Sequence, residues 1–164
     1  MTITEAHTAE HFATIEDLAW RIVPDFYASL FERAAAQYLV ESGHTAGAVA
    51  AQAAVGCKFF FIVDKGQPVG YFSLAPEGDV VVLGHFYLLP ECRGRGLGQV
   101  AMEFVDRQVR AMGARRIELL VLRKNIAAVG LYRKNGYAVA EEVLTTLGNG
   151  AVFEDYLMRK EIEN

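Results

Sequence analysis

Arg93-Gly94-Arg95-Gly96-Leu97-Gly98 sets three alternating glycines and two arginines between an apolar run that ends at Pro90 and the start of a helical pattern. Glycine lets a chain turn tightly and leaves backbone amides uncovered by a Cβ. A helix start adds unpartnered N–H groups and the positive end of the helix dipole. Together these make a diphosphate cradle built from main chain, with Arg93 and Arg95 adding charge at its rim. A Walker-type loop is excluded, because no Gly-x-x-x-x-Gly-Lys-Ser/Thr run exists. Gly96-Leu97-Gly98-Gln99-Val100-Ala101 matches the dinucleotide fingerprint. That fingerprint expects an acidic residue at the far end of the next strand, and Glu118 lies near the beginning of that strand. Two further polar residues are spaced for one ligand. Asn125 and Tyr132 lie seven residues apart, two turns along one helix face, with a rise of about 10 Å. Asn125 also suits a helix N-cap.

These residues need a scaffold, and the hydrophobic pattern supplies one. Thr2–Ala6 alternates like an edge strand. Thr8 is placed to cap a helix carrying Phe12, Ile15, Leu18 and Ala19, with Pro24 expected to break it or to start the next helix. A second apolar face runs from Asp25 through Leu30, Phe31, Ala34, Ala35, Tyr38 and Leu39 to Gly43. Thr45 caps a short third helix ending before Gly56. Lys58–Val63 and Pro68–Leu74 read as a hairpin, a turn follows at Pro76–Asp79, and Val80–Leu89 is a long strand. After the cradle, Leu97, Val100, Ala101, Phe104, Val105 and Met112 define a helix face that Gly113 ends. Arg116–Leu122 is a strand of buried type, a helix runs from Asn125 to Asn135-Gly136, and Tyr137–Leu147 with Ala151–Glu161 forms a C-terminal hairpin. The expected fold is α/β (α+β): a mixed, mostly antiparallel twisted sheet of about six to seven strands, with helices on both faces. Its central strand–helix–strand unit is parallel and right-handed.

The bulk properties narrow the function. The 164 residues fit a single domain spanning 1–164. With a net charge of −4, no basic face is expected for nucleic acid. No apolar run approaches a membrane span, and no export signal is visible at the start. Cys57 and Cys92 have no metal-type spacing and the four histidines are scattered, so no metal site is expected. Free thiols and the lack of an export signal point to the cytoplasm.

Arg93-Gly94-Arg95-Gly96-Leu97-Gly98 resembles the Arg/Gln-x-x-Gly-x-Gly/Ala signature of the GNAT acetyltransferases, and Phe86-Tyr87-Leu88-Leu89-Pro90 looks like the strand leading into it. Asn125, Tyr132 and Asn135-Gly136-Tyr137 are similar to the family's later block. The helical N-terminal part, Gly148-Asn149-Gly150 and Glu154–Met158 resemble a branch that includes polyamine-type enzymes.

The resemblance implies the GNAT fold and transfer of acetyl from acetyl-CoA to a primary amine, by direct attack in a ternary complex. The alternative it leaves is a coenzyme-A-binding sensor or interaction module without catalysis. By the same resemblance, Leu88 and Leu89 would offer backbone groups to the pantetheine arm. The amides of Arg93, Gly94, Arg95, Gly96, Leu97, Gly98 and Gln99 would hold the diphosphate, and Asn125 would lie near the arm. Tyr132 would protonate the departing thiolate, stabilise it by a hydrogen bond, or simply pack in the core; full proton transfer from a tyrosine is uphill by about 2 kcal/mol. The attacking amine must lose a proton. His85 is a candidate base or a structural strand histidine, and Glu154 and Asp155 are candidates to bind a cationic acceptor or relay its proton. Some family members carry a glutamate on the central strand where this chain has Val81, Val82 and Leu83, so no carboxylate base is expected there. The acceptor is a small-molecule or protein amine, and the C-terminal hairpin could pair with a second copy as a homodimer.

Overall fold

The computed structural model describes residues 1–163. In chain order the elements are β1 (Thr2–Ala6), α1 (Ala9–Ala28), α2 (Arg33–Gly43), α3 (Ala46–Ala54), β2 (Lys58–Asp64), β3 (Gln67–Glu77), β4 (Val80–Leu88), a 3-10 turn at Pro90–Cys92, α4 (Leu97–Ala111), β5 (Arg116–Leu122), α5 (Ile126–Lys134), β6 (Ala138–Thr146) and β7 (Val152–Glu161). Seven strands form one mixed sheet in the order β1-β2-β3-β4-β5-β7-β6. β4 and β5 pair in parallel, Val80 opposite Arg116 through Val82 opposite Glu118. The β1/β2, β2/β3, β5/β7 and β6/β7 pairs are antiparallel. The expected sheet is therefore present, with seven strands and mostly antiparallel pairing. The chain divides into two compact units, 1–74 with 85–97, and 75–84 with the chain from Gly98 onward.

In the first unit, β2 is buried on both faces, because Phe59, Phe60, Phe61 and Ile62 all lie in the core. That explains its unbroken apolar run. Thr8 caps α1 as expected, its hydroxyl accepting from the His11 N–H at 3.2 Å. Pro24 does not break the helix: α1 runs straight through it to Ala28. Ile22, Val23 and Tyr27 continue the buried stripe begun by Ile15 and Leu18, and their burial offsets the amide bond that proline removes. Consequently α2 starts at Arg33 rather than near Asp25. Thr45 caps α3, its hydroxyl accepting from the Ala48 N–H at 3.2 Å.

The second unit is built from β5, β6, β7 and the two later helices. β3 carries on past Pro76, and the link to β4 shortens to Gly78-Asp79, with Gly78 at φ +67. The buried stripe of α4 differs from the expected face. Ala101, Met102, Val105 and Val109 are fully buried, while Val100 is 44% exposed and Phe104 and Met112 are half-buried. β6 is an edge strand, exposed along Ala138–Glu142.

Candidate functional site

The cradle segment has the backbone its composition foretells. Gly94 and Gly96 sit at φ +70 and +79, a region in which a side chain is strained. A Cβ built on either meets nothing within 4 Å, so both face open space. Arg93 N–H donates to the Pro90 carbonyl at 3.2 Å and closes the 3-10 turn. Among the described residues, the amides of Gly94, Arg95, Gly96, Leu97 and Gly98 donate to no protein acceptor. The exposed donor row therefore begins one residue later than the signature suggests. Its two arginines are partly committed. Arg95 pairs with Asp64 at 2.7 Å, and Arg93 donates from Nε to the Leu88 carbonyl at 3.1 Å while its guanidinium lies over the Phe26 ring. Gln99, in the first turn of α4, forms a reciprocal amide pair with Asn135 at the end of α5, at 3.0 and 3.1 Å. Asn135 was expected as a helix stop and as part of the family's later block, not as a partner of Gln99.

The strand leading into the cradle narrows the candidates for extended pairing. Leu89 N–H donates to the Val69 carbonyl at 2.9 Å, and the Leu89 carbonyl accepts from Cys92 N–H at 2.9 Å. The Leu89 N–H is thus spent within the protein and cannot be offered to a ligand, while its carbonyl, bonded once, keeps a second lone pair. Neighbouring residues of a strand direct their groups to opposite edges, so the N–H of Leu88 points away from β3. Gly70 allows this approach: a Cβ there would sit 2.3 Å from the Tyr87 carbonyl oxygen.

His85 lies on β4 with φ +51, one of two non-glycine residues with positive φ among those described; the other, Lys65, is in a turn. Such a conformation costs about 1–2 kcal/mol, so the surroundings must hold it. They do so through the ring. His85 Nδ1 lies 3.1 Å from His44 Nε2, and His85 Nε2 lies 3.0 Å from Gln52 Oε1. Burial lowers the His85 pKa to about 4. Burial first, and the neighbouring His85 second, put His44 well below the usual histidine range. His85 is therefore neutral at pH 7, but with both nitrogens occupied it has no lone pair to take a proton directly from an amine. His44 and Gln52, 41 and 33 residues from His85, carry no local signal of this contact.

On α5 the Asn125 side chain accepts from the Ala128 N–H at 3.2 Å, so the capping role is realised. Its amide nitrogen is not part of that bond. Tyr132 is buried at 6% exposure, its ring 5.8 Å from that of Tyr137. On β7, Asp155 is buried and accepts from the Thr145 hydroxyl at 2.7 Å. Burial pushes its carboxyl above the usual range, opposed by the Thr145 hydroxyl and by Arg123. Glu154 is exposed on the opposite face, since strand neighbours alternate. The two candidate carboxylates therefore face opposite sides of the strand.

Among the described residues no group of three or more metal-ligating side chains occurs, and no helix is long and apolar enough to cross a membrane. Comparison with known proteins places this geometry in context. An 81-residue stretch is 36% identical to the uncharacterized N-acetyltransferase YdgE of Bacillus subtilis (strain 168), covering 46% of this chain and 51% of that protein. The match thus spans about half the length of this relative. The PaiA N-acetyltransferase from Thermoplasma acidophilum, solved in complex with coenzyme A, superposes with a TM-score of 0.79 over 98% of this chain and 99% of that one, at 18% identity. YncA from Salmonella typhimurium, solved with its cofactor acetyl-CoA, gives a TM-score of 0.67 over 100% and 95% of the two chains, at 17% identity. At such identities these structures speak for the fold. The sequence profile of the acetyltransferase (GNAT) family matches residues 12–137, the greater part of the chain, and the chain belongs to that family.

Proposed function

We propose that this protein is an N-acetyltransferase that moves an acetyl group from acetyl-CoA to a primary amine by direct attack in a ternary complex. The observation that carries this reading is the row of unengaged amides from Gly94 to Gly98, opened by two left-handed glycines over empty space. That arrangement fits a diphosphate, because bare N–H groups at a helix start favour an anion and a Cβ at Gly94 or Gly96 would strain the turn. Acetyl-CoA, when bound, would supply an activated thioester whose sulfur departs as the thiolate of coenzyme A.

The chain's own residues would do the rest. The amides of Gly94, Arg95, Gly96, Leu97, Gly98 and Gln99 hold the diphosphate. Arg93 contributes charge at the rim and not its amide. Leu88 N–H, directed off β3, pairs with the extended arm, and the Asn125 amide nitrogen donates to it. The Tyr132 hydroxyl donates a hydrogen bond to the departing sulfur. Asp155, buried and hydrogen-bonded, shapes the β7 wall, and Glu154 attracts a cationic acceptor from the exposed face. His85 supports the site through its backbone rather than as a direct base. The acceptor class we favour is a polyamine or other small amine, on the likeness of the Gly148–Gly150 turn and the Glu154–Met158 segment to that branch. We also take the whole chain as one working domain of the cytoplasm, with the exposed β6 edge available to a second copy.

The test is thiol release from acetyl-CoA against a panel of amines that includes spermidine and spermine. Tyr132→Phe should lower kcat by about 10²- to 10⁴-fold while leaving the Kd for coenzyme A unchanged. A wild-type protein that binds coenzyme A but turns over no amine would instead support the non-catalytic sensor.

A further inference from the structure

Within the first unit, four side chains form a line of hydrogen bonds whose direction can be worked out from one end. Gln52, on α3, places its amide nitrogen 2.9 Å from the Gly43 carbonyl and 3.2 Å from the Ala48 carbonyl. Carbonyls only accept, so this nitrogen faces them and Oε1 faces His85. An oxygen acceptor at 3.0 Å requires a hydrogen on His85 Nε2. The ring is neutral, held so by burial, so His85 Nδ1 is bare and accepts from His44 Nε2–H at 3.1 Å. His44 Nδ1 is then bare in turn and accepts from the Tyr71 hydroxyl at 2.7 Å. Every ring nitrogen has one assignment, and reversing any link would set two hydrogens or two lone pairs against each other. The His85 ring is also walled in. Phe59 stacks on it at 5.6 Å, His44 meets it edge-on at 4.2 Å, and a Cβ on Gly43 would lie 3.6 Å from its Cε1.

This chain of bonds grips the residue whose backbone sits at φ +51 in the middle of β4. A left-handed residue in a strand re-aims the groups that follow it. Beyond His85, Leu89 N–H reaches Val69 and the Tyr87 carbonyl lies against Gly70, which leaves Leu88 N–H directed off β3. We infer that Gln52 and His44 are positioning residues: by fixing the tautomer and place of His85 they hold the β4 kink that aims Leu88 N–H at the coenzyme's extended arm. This inference rests on the acetyl-transfer reading above. It assigns to α2 and α3 a part in coenzyme binding, although neither helix carries any of the cradle residues.

Three measurements test it. Nitrogen-15 NMR of histidine-labelled wild type at pH 7 should show His85 and His44 each protonated on Nε2 and bare on Nδ1. Gln52→Leu should weaken coenzyme A binding by about tenfold in calorimetry, the order expected when one backbone hydrogen bond to a ligand is misaimed, with kcat at saturating acetyl-CoA within about threefold of wild type. His85→Gly should bind coenzyme A at least about fivefold more tightly than His85→Ala, because glycine takes a positive φ without strain whereas both variants lose the ring. A purely structural role would lower thermal stability and leave the Gly and Ala variants with equal affinity. Wild type that fails to bind coenzyme A overturns the acetyl-transfer reading and this role with it. Wild type that binds, with Gln52→Leu and His85→Ala binding equally well, overturns the positioning role alone. His85 protonated on Nδ1 overturns it whether or not any variant folds.

Discussion

Replacing Gly70 with alanine tests how the cradle-side strand is seated. The added Cβ would lie 2.3 Å from the Tyr87 carbonyl oxygen, 2.8 Å from Leu88 Cδ2 and 3.2 Å from Leu88 Cα. The Leu88 side chain can rotate away, but Tyr87 and Leu88 backbone cannot. Relieving the contact moves β3 and β4 apart by about 1 Å, since ordinary carbon–oxygen contacts begin near 3.4 Å. The Leu89 N–H to Val69 carbonyl bond, now 2.9 Å, lies next to the displaced point and stretches with it. Overpacking of this kind costs about 1–3 kcal/mol, and weakening the hydrogen bond adds about 1 kcal/mol. Gly70 has no positive φ, so alanine recovers roughly 0.4–1 kcal/mol by restricting the unfolded chain. The net loss of about 1–3.5 kcal/mol corresponds to a fall in Tm of roughly 2–14 °C for a domain of this size. The same displacement carries Leu88 off its position, and a misplacement of about 1 Å can cost as much as 10²-fold, so the KM for acetyl-CoA should rise by about 10- to 100-fold. Gly47→Ala is the control, because it is exposed in the first turn of α3 and a Cβ there meets nothing within 4 Å. Scanning calorimetry and thiol-release kinetics read both effects. A Gly70→Ala protein melting within about 1 °C of wild type would refute the steric reasoning.

Three further outcomes are expected. Lys160→Met leaves the Asp106 carboxylate half-buried, with Oδ2 stripped of its 2.5 Å partner and Oδ1 already without one among the described residues; urea unfolding should show a loss of about 2–4 kcal/mol, most of it recovered in the double variant with Asp106→Leu. Stability should fall on acidification: the folded-state pKa of His85 is lowered to about 4 and that of His44 lies below the usual value of 6.5, so the unfolded chain binds more protons in between. The stabilisation is full above pH 6.5 and lost as pH drops toward 4, by about 3 kcal/mol for His85 alone, and His85→Asn should flatten that slope in a pH series of urea midpoints. Asn125→Ala removes the cap at 3.2 Å from Ala128 N–H and should lower stability by about 1 kcal/mol in the same measurement.

The parts of the site that were legible from sequence are those written in backbone chemistry. Gly94 and Gly96 announce left-handed turns because only glycine takes them freely, and Thr8, Thr45 and Asn125 announce helix starts because a short oxygen-bearing side chain can reach an amide two or three residues on. Long-range partners leave no such mark. Gln52 and His44 meet His85, and Tyr71 meets His44, only once α3, β3 and β4 are packed, so each looks like an isolated polar residue in the sequence. Pro24 misled for the opposite reason: a strong local signal yielded to the burial of Ile22, Val23 and Tyr27 on either side of it. On α4, Leu97, Ala101 and Val105 were placed correctly. Val100 and Met102 exchanged roles because periodicity alone does not say which flank of a stripe meets the core. The Leu89 N–H was not foreseen to be taken by Val69, because the partners of a strand's amides depend on pairing, not on side-chain type. Glu154 and Asp155 separated because adjacent strand residues face opposite ways.

The Gln99–Asn135 amide pair has a mechanical consequence. Two complementary bonds between planar groups resist both sliding and twisting, so the first turn of α4 and the last turn of α5 travel as one piece. Asn135 also anchors back to the Leu131 carbonyl at 2.8 Å, one residue before Tyr132. Any shift of the α4 start is therefore delivered to the turn of α5 that bears Tyr132.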